Sequence, residues 1–198
     1  MKKAMSDFPH IAPYTEMFID ICHRLYENKY VIAYDGNVSL RFNDYILATP
    51  THINKGDLTE EDLIITNQNG QLIAGKHAAT SELKMHLAIY KINTKAQCVI
   101  HAHPLYATAL YRTDRMVHID TLMEAGLFFD EVPIIPFQNP GSQQLADEVG
   151  EAIGAHGNAC VLEKHGVTVC GQTLEETYYL LETLECLAHT EYILQNIQ

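Results

Sequence analysis

The chain has 198 residues, 47% of them hydrophobic, enough to bury a full core within one domain, and 25 acidic against 13 basic residues leave a formal charge of −12. That charge repels phosphate backbones and anionic headgroups over the surface as a whole, so nucleic acid and membrane are not expected as partners and any phosphate must be bound locally. Cys22, Cys98, Cys160, Cys170 and Cys186 are odd in number and form no C-x-x-C pair, so neither a disulfide framework nor a thiolate zinc site is expected; with no apolar leader and no long apolar run, the expectation is a soluble, cytoplasmic protein.

Residues 13–30 place Met17, Phe18, Ile21, Cys22, Leu25 and Tyr26 on one stripe, which predicts a first helix. AYDGNVSLRFNDYILATPT follows with turn residues and then period-two alternation, and Asn43-Asp44 between VSLRF and YILAT suggests a hairpin. LTEEDLIITNQNGQLIAG repeats the pattern around Asn69-Gly70, a strong hairpin turn. TSELKMHLAIYKI spaces Leu83, Leu87 and Tyr90 as a helix does, with Thr80 or Ser81 as N-cap and Glu82 in the first turn.

Residues 98–101 read as a strand limited by Pro104, and LYATALYRT as a helix. EVPIIPF is extended, its prolines placing it at a sheet edge, and QNPGSQQLADEVGEAIGAHG gives a turn and then a helix. NACVLEKHGVTVCGQT pairs two strands about His165-Gly166, and Thr173 with Glu176 forms a capping box that opens a last helix through Leu180, Leu184, Leu187 and Tyr192. The reading gives about seven or eight short strands and four or five helices, with no interdomain linker, so residues 1–198 form a single domain. Hairpins between strands, and the absence of G-x-G-x-x-G or a Walker sequence, exclude a βαβ nucleotide fold.

Within VIHAHPLY, residues 99–106, two histidines stand two apart in an apolar run. On a strand such residues share a face, their Cα atoms ~6.5 Å apart, so His101 and His103 can converge on one ion. A catalytic zinc needs a third protein ligand, and His165, at a strand-to-turn junction before Gly166, is the best candidate. On these residues alone, a metal site and a pair of structural histidines both stand. His10, His23, His52, His77, His86, His118, His156 and His189 lack such an arrangement and default to structural roles. Glu82 is equally open: a carboxylate in a helical first turn meets the macrodipole, for ~0.3–1 kcal/mol, without any function. Its neighbours Thr80 and Ser81, however, set hydroxyls beside free helical N–H groups, a combination that binds anions.

In order, DGNVSLR, LATPTHI, ATSELKMHLAIY, VIHAHPLYATAL, VPIIPFQNPGSQQLA and VLEKHGVTVCGQTLEET resemble the class II aldolase and adducin head family, over about residues 12–195, and most resemble its fuculose phosphate aldolase type. The resemblance implies a three-layer α/β/α fold around a central, mostly antiparallel sheet, and a homotetramer with active sites between subunits. It implies His101, His103 and His165 as ligands of one Zn2+ per subunit, and Glu82 as a further ligand at rest and the base in turnover. It matches Gly36 and Asn37 to the G-N-x-S phosphate loop, Thr51 to its T-P-T partner, and Thr80 and Ser81 to the hydroxyl pair before the glutamate. The implied reaction is reverse aldol cleavage of a short ketose 1-phosphate, of the L-fuculose 1-phosphate type, to dihydroxyacetone phosphate and an aldehyde, the charge of the enediolate being lowered by a Lewis acid.

The chain departs from that pattern in two places. His52 stands where these aldolases commonly have glycine after T-P-T, and Leu122 stands where they have a proton-donating tyrosine, leaving Asp120 or Glu124 to supply the proton. The same site also fits a sugar-phosphate epimerase, a methylthioribulose-phosphate dehydratase or a sugar-acid phosphate decarboxylase; epimerases of this kind usually have aspartate at position 82. A non-catalytic adducin-like interaction module is the reading of another class, and such heads are not expected to keep the metal ligands.

Overall fold

The computed structural model describes residues 7–8, 11–111 and 117–197. His10, and the last two residues of the LYATALYRT helix expected from sequence, lie outside them. The first helix, α1 (Ala12–Glu27), buries Phe18, Ile21, Cys22 and Leu25 as its stripe requires, and ends three residues short of expectation because Lys29 takes a positive φ of 62°. Both hairpin turns hold: Asn43 (φ 47°) joins β1 (Asn37–Phe42) to β2 (Tyr45–Ala48), and Gly70 (φ 76°) joins β3 (Ile64–Asn67) to β4 (Leu72–Ala74).

The helix α2 (Leu83–Ile92) leads to β5 (Cys98–Ala102) and the short α3 (Leu105–Leu110). A helix without a sequence forecast follows, α4 (Met123–Phe128), six residues with no side-chain cap and too short for periodicity to announce it. The edge strand β6 (Ile134–Ile135), α5 (Gln143–His156), the hairpin of β7 (Ala159–Leu162) and β8 (Gly166–Gly171), and α6 (Leu174–Leu194) complete the order. Ser142 caps α5 through the N–H of Leu145, and Thr173 caps α6 through that of Glu176, each by about 1 kcal/mol. Only half of the expected capping box forms, because the Glu176 carboxylate accepts the N–H of Gln172 instead of that of Thr173.

The eight strands make one sheet, ordered β4-β3-β2-β1-β5-β8-β7-β6, antiparallel except where β6 runs parallel to β7. Alternation sends Val38, Leu40, Cys98, Ile100, Val167 and Val169 to one face, under α1 and α6 with Phe18, Leu181 and Leu184. Ile46, Val99, Leu162 and Cys170 face the other way, under α2 and α5 with Met85, Ile89, Val149 and Ile153. The result is the three-layer α/β/α fold with a mostly antiparallel sheet that the sequence led us to expect. Among the described residues no helix is long and apolar enough to cross a membrane.

Candidate metal centre

Register builds the centre. Pairing of β1 with β5 sets Asn37 opposite His101, and His101 falls on the face of the sheet that α2 covers. Toward that face α2 and its cap turn Glu82, His86 and Tyr90, spaced at i, i+4 and i+8 and all buried. His103 lies just past the end of β5, where its N–H donates to the Tyr30 carbonyl at 2.8 Å. His165 arrives from the turn between β7 and β8, in which Lys164 takes a φ of 60°. Two glycines permit this crowding. A Cβ on Gly166 would collide with the Ala102 carbonyl oxygen and the His103 ring, and one on Gly36 (φ 65°) with Val31 and the His101 carbonyl oxygen.

The three imidazoles stand with ring centroids 4.7–5.3 Å apart, and one nitrogen from each lies within 4.8 Å of the others. Hydrogen bonding fixes two of the tautomers. His101 Nδ1 faces the Val167 carbonyl at 2.9 Å and must donate to it, which leaves Nε2 bare. His103 Nδ1 faces the Asp35 carboxylate at 3.2 Å and must likewise donate, leaving its Nε2 bare. These two bare nitrogens are 3.0 Å apart, and Glu82 Oε2 lies 3.2 Å from His101 Nε2. The second oxygen, Oε1, is buried without a hydrogen-bond partner, 3.3 Å from His165 Nε2. Lone pairs and a carboxylate converging in this way repel one another unless a cation lies between them. The donor set of three imidazoles and one carboxylate therefore fits a divalent metal, zinc among those it suits.

Burial, with the neighbouring His103 and His165, holds the His101 imidazole well below its ordinary pKa, and burial lowers that of His165 as well. Both rings are neutral at pH 7, the form that binds a metal. Burial works against the Asp35 carboxylate, yet its hydrogen bonds with His103 and with the Ile32 N–H, the latter at 2.6 Å, outweigh this and keep it below the usual carboxylate range.

Glu82 is the N-cap of α2 and not, as expected, part of its first turn; with φ −91° and ψ 4° it stands just outside the helix, and its carboxylate makes no capping hydrogen bond. The carboxylate turns to the imidazoles and leaves the helix end to Thr80, whose hydroxyl accepts the Glu82 N–H at 3.3 Å. Gly36, Asn37, Thr51, Thr80 and Ser81, noted in the sequence as phosphate residues, line one pocket with Glu82 and His103. Lys55 lines it too, buried to 2% exposure, its ammonium donating to the Tyr34 and Ile53 carbonyls at 3.2 and 3.1 Å. That cation sets local positive charge against the overall −12. His52 takes a left-handed backbone, φ 58°, a conformation that glycine adopts without strain. Asp120 and Glu124 are exposed and do not line this pocket.

Sequence reasoning passed over Asp35, Lys55 and His86. Asp35 lies two residues before Asn37 and carries no pattern of its own. His86 does carry a signal, one helical turn from Glu82 with Tyr90 a turn beyond. Of the other described histidines, His23 bonds the Leu58 carbonyl at 3.0 Å and His189 stacks on Tyr106.

Comparison with known proteins gives concordant results. The family model of the class II aldolase and adducin N-terminal domain matches residues 16–192. A protein named L-fuculose phosphate aldolase from Methanococcus maripaludis is 38% identical over 181 residues, 91% of this chain and 97% of that protein. A 3-oxo-tetronate 4-phosphate decarboxylase from Haemophilus influenzae is 30% identical, covering 91% of this chain and 87% of its own. The crystal structure of an L-fuculose-1-phosphate aldolase from Thermus thermophilus superposes with a TM-score of 0.83 at 28% identity, over 93% of this chain and 95% of that one.

Proposed function

This chain belongs to the class II aldolase and adducin family of lyases, and on that premise we propose that it is a zinc-dependent aldolase that cleaves a short ketose 1-phosphate, of the L-fuculose 1-phosphate type, to dihydroxyacetone phosphate and an aldehyde. The observation that carries this reading is the convergence of the bare Nε2 atoms of His101 and His103, with His165 and the Glu82 carboxylate, beside a pocket of hydroxyl and N–H donors.

His101, His103 and His165 hold the metal in this reading, with Glu82 as a further ligand at rest. Bound zinc supplies Lewis acidity toward the carbonyl oxygen of the ketose, with no redox role. Gly36, Asn37, Thr51, Thr80 and Ser81 take the phosphate, with the Lys55 charge behind them, and fix the distance from phosphate to carbonyl. Cleavage breaks the bond between the carbon beside the carbonyl and the carbon that becomes the aldehyde; the electron pair stays with the former and the hydroxyl on the latter loses its proton. Glu82 returns a proton to the carbon that kept the pair, completing dihydroxyacetone phosphate, and removes it again in the synthetic direction.

The hydroxyl proton needs an acceptor. Asp120 and Glu124 sit away from this pocket in their own chain, which supports a homotetramer whose active sites lie between subunits, one subunit lending a carboxylate to the next. The pocket's volume of about 200 Å³, below the ~300–1,000 Å³ of pockets that enclose a ligand alone, supports the same arrangement. So do the exposed Met123 and Leu127, each 75% accessible and flanking Glu124 in α4. A single sheet through the described residues supports one domain, and five cysteines without a disulfide support a cytoplasmic setting.

The likeness to a decarboxylase favours a second reading on the same residues, in which carbon dioxide leaves in place of the aldehyde and the electron pair left behind is protonated in the same way. Incubating the zinc-replete protein with ketose 1-phosphates and with 3-oxo-acid phosphates separates the two. Triose phosphate together with an aldehyde from a ketose 1-phosphate is the expected outcome; carbon dioxide and triose phosphate from a 3-oxo-acid phosphate, with no aldehyde from any ketose 1-phosphate, establishes the second reading, and no turnover of either class overturns both.

A further inference from the structure

A run of buried hydrogen bonds leads away from the candidate centre beneath α2. Asn37 Nδ2 lies 3.1 Å from Glu82 Oε2, Asn37 Oδ1 lies 2.5 Å from His86 Nε2, His86 Nδ1 lies 2.7 Å from Ser39 Oγ, and Ser39 Oγ lies 2.7 Å from the Tyr90 hydroxyl. Each of the five side chains is buried, His86 and Ser39 completely.

The chemistry of the groups gives this run a single polarity. An ionised carboxylate only accepts, so the Asn37 atom facing Glu82 must be the amide nitrogen, and the amide oxygen is then the atom facing His86. That oxygen also only accepts, so the proton of the imidazole sits on Nε2. Burial, opposed in part by Glu82, brings the His86 pKa down to about 4, so the ring is neutral at pH 7 and its Nδ1 is bare. Ser39 must therefore donate to Nδ1. Its oxygen then receives the Tyr90 hydroxyl, or that hydroxyl goes to the Ser39 carbonyl at 3.0 Å. Turning the ring or the amide over would set two acceptors face to face in a site that water does not reach, so the arrangement has no low-energy alternative.

We propose that His86 is a positioning residue for Glu82, acting through Asn37, and that Ser39 holds it in the one tautomer able to do so. The proposal rests on the reading of Glu82 as proton carrier. Through this run one carboxylate oxygen, Oε2, is pinned by Asn37, while Oε1 keeps no hydrogen-bond partner and lies 3.3 Å from His165 Nε2. The two oxygens are thereby given different work: one orients the group and the other is left for the proton.

The test uses the full chain, labelled with 15N in histidine and asparagine. In the metal-free wild type, His86 Nε2 is expected to give a protonated-type resonance and Nδ1 a bare one, and the Asn37 side-chain amide protons a low-field pair, as befits an amide held on a carboxylate. Ser39→Ala removes one oxygen and little else. It should mix the His86 tautomers, move the Asn37 amide toward free-amide values and lower kcat about 10- to 100-fold, with KM and zinc stoichiometry changed less than about twofold. His86→Gln should do the same more strongly where it folds, and Ser39→Ala decides the matter where it does not. A bare Nε2 in the wild type, an Asn37 amide that is the same in Ser39→Ala as in wild type, or a kcat loss no larger than the loss of folded protein overturns the proposal. An inactive wild type with the expected resonances counts against the assigned reaction alone, since the resonances report the pinning of Glu82 without substrate.

Discussion

The Asp35 carboxylate lies 3.2 Å from His103 Nδ1 and holds the ring so that its other nitrogen faces His101. A carboxylate in this place fixes the tautomer and raises the basicity of the nitrogen opposite. Asp35→Asn keeps the size of the side chain and an oxygen for the Ile32 N–H, but removes the charge that faces the ring. It is expected to weaken zinc binding about 10- to 100-fold with the fold retained. Competition of the metal-free protein with a chelator of known affinity measures this, and unchanged affinity would deny Asp35 that role.

Removing a ligand is a harsher change. His103 is only partly buried and packs at the mouth of the pocket, so His103→Ala opens little cavity in either core. The variant should lose stoichiometric zinc while keeping the circular dichroism of the wild type. Metal analysis that finds it fully loaded after dialysis contradicts the assignment of His103.

Glu82→Gln separates holding the metal from moving the proton. The three imidazoles remain, and zinc should still bind, though less tightly. The amide cannot carry a proton to carbon, so turnover should fall about 10²- to 10⁴-fold, the range that general acid–base groups supply. Steady-state kinetics on the zinc-loaded variant test this; a kcat within a few-fold of wild type would remove Glu82 from proton transfer.

How much of this was legible in the sequence follows the range of each signal. Asn43 and Gly70 announced their hairpins because a positive φ is a local demand that few residues meet cheaply, and both turns stand as expected. The H-x-H spacing told that His101 and His103 share a face, since strand geometry alone requires it. That His165 joins them depends on β8 pairing with β5, a contact across more than sixty residues that periodicity does not encode. Glu82 shows the limit most clearly. Its spacing fitted a helical first turn, but it stands just outside the helix with its carboxylate held by the Asn37 amide beside the imidazoles, a long-range arrangement absent from any local rule. Asp35 and His86 were passed over for the same reason: what they do is set by the partners that the β1–β5 register brings to them.

Acid should expose the cost of keeping His86 uncharged in the core. Folded, the ring is held neutral by burial, against a smaller opposing pull from Glu82, until the pH falls to about 4; unfolded, it takes a proton near 6.5. Above 6.5 neither state is protonated and His86 adds no pH dependence. Between 6.5 and 4 the unfolded chain binds the extra proton, so stability falls as pH falls. A difference of this size corresponds to about 3 kcal/mol by the time the folded ring itself protonates. His101 and His165 are lowered too and act in the same direction in the metal-free protein. Urea unfolding of metal-free wild type and His86→Gln, at pH 7.5 and again near 4.5, isolates the contribution of His86, because the carboxylates and the other histidines titrate in both. The wild type is expected to lose about 2–3 kcal/mol more than the variant over that interval. Equal losses would mean that the His86 ring already carries a proton in the folded chain, so that its Nδ1 would donate to Ser39 and the role assigned to Ser39 in fixing the tautomer would fall.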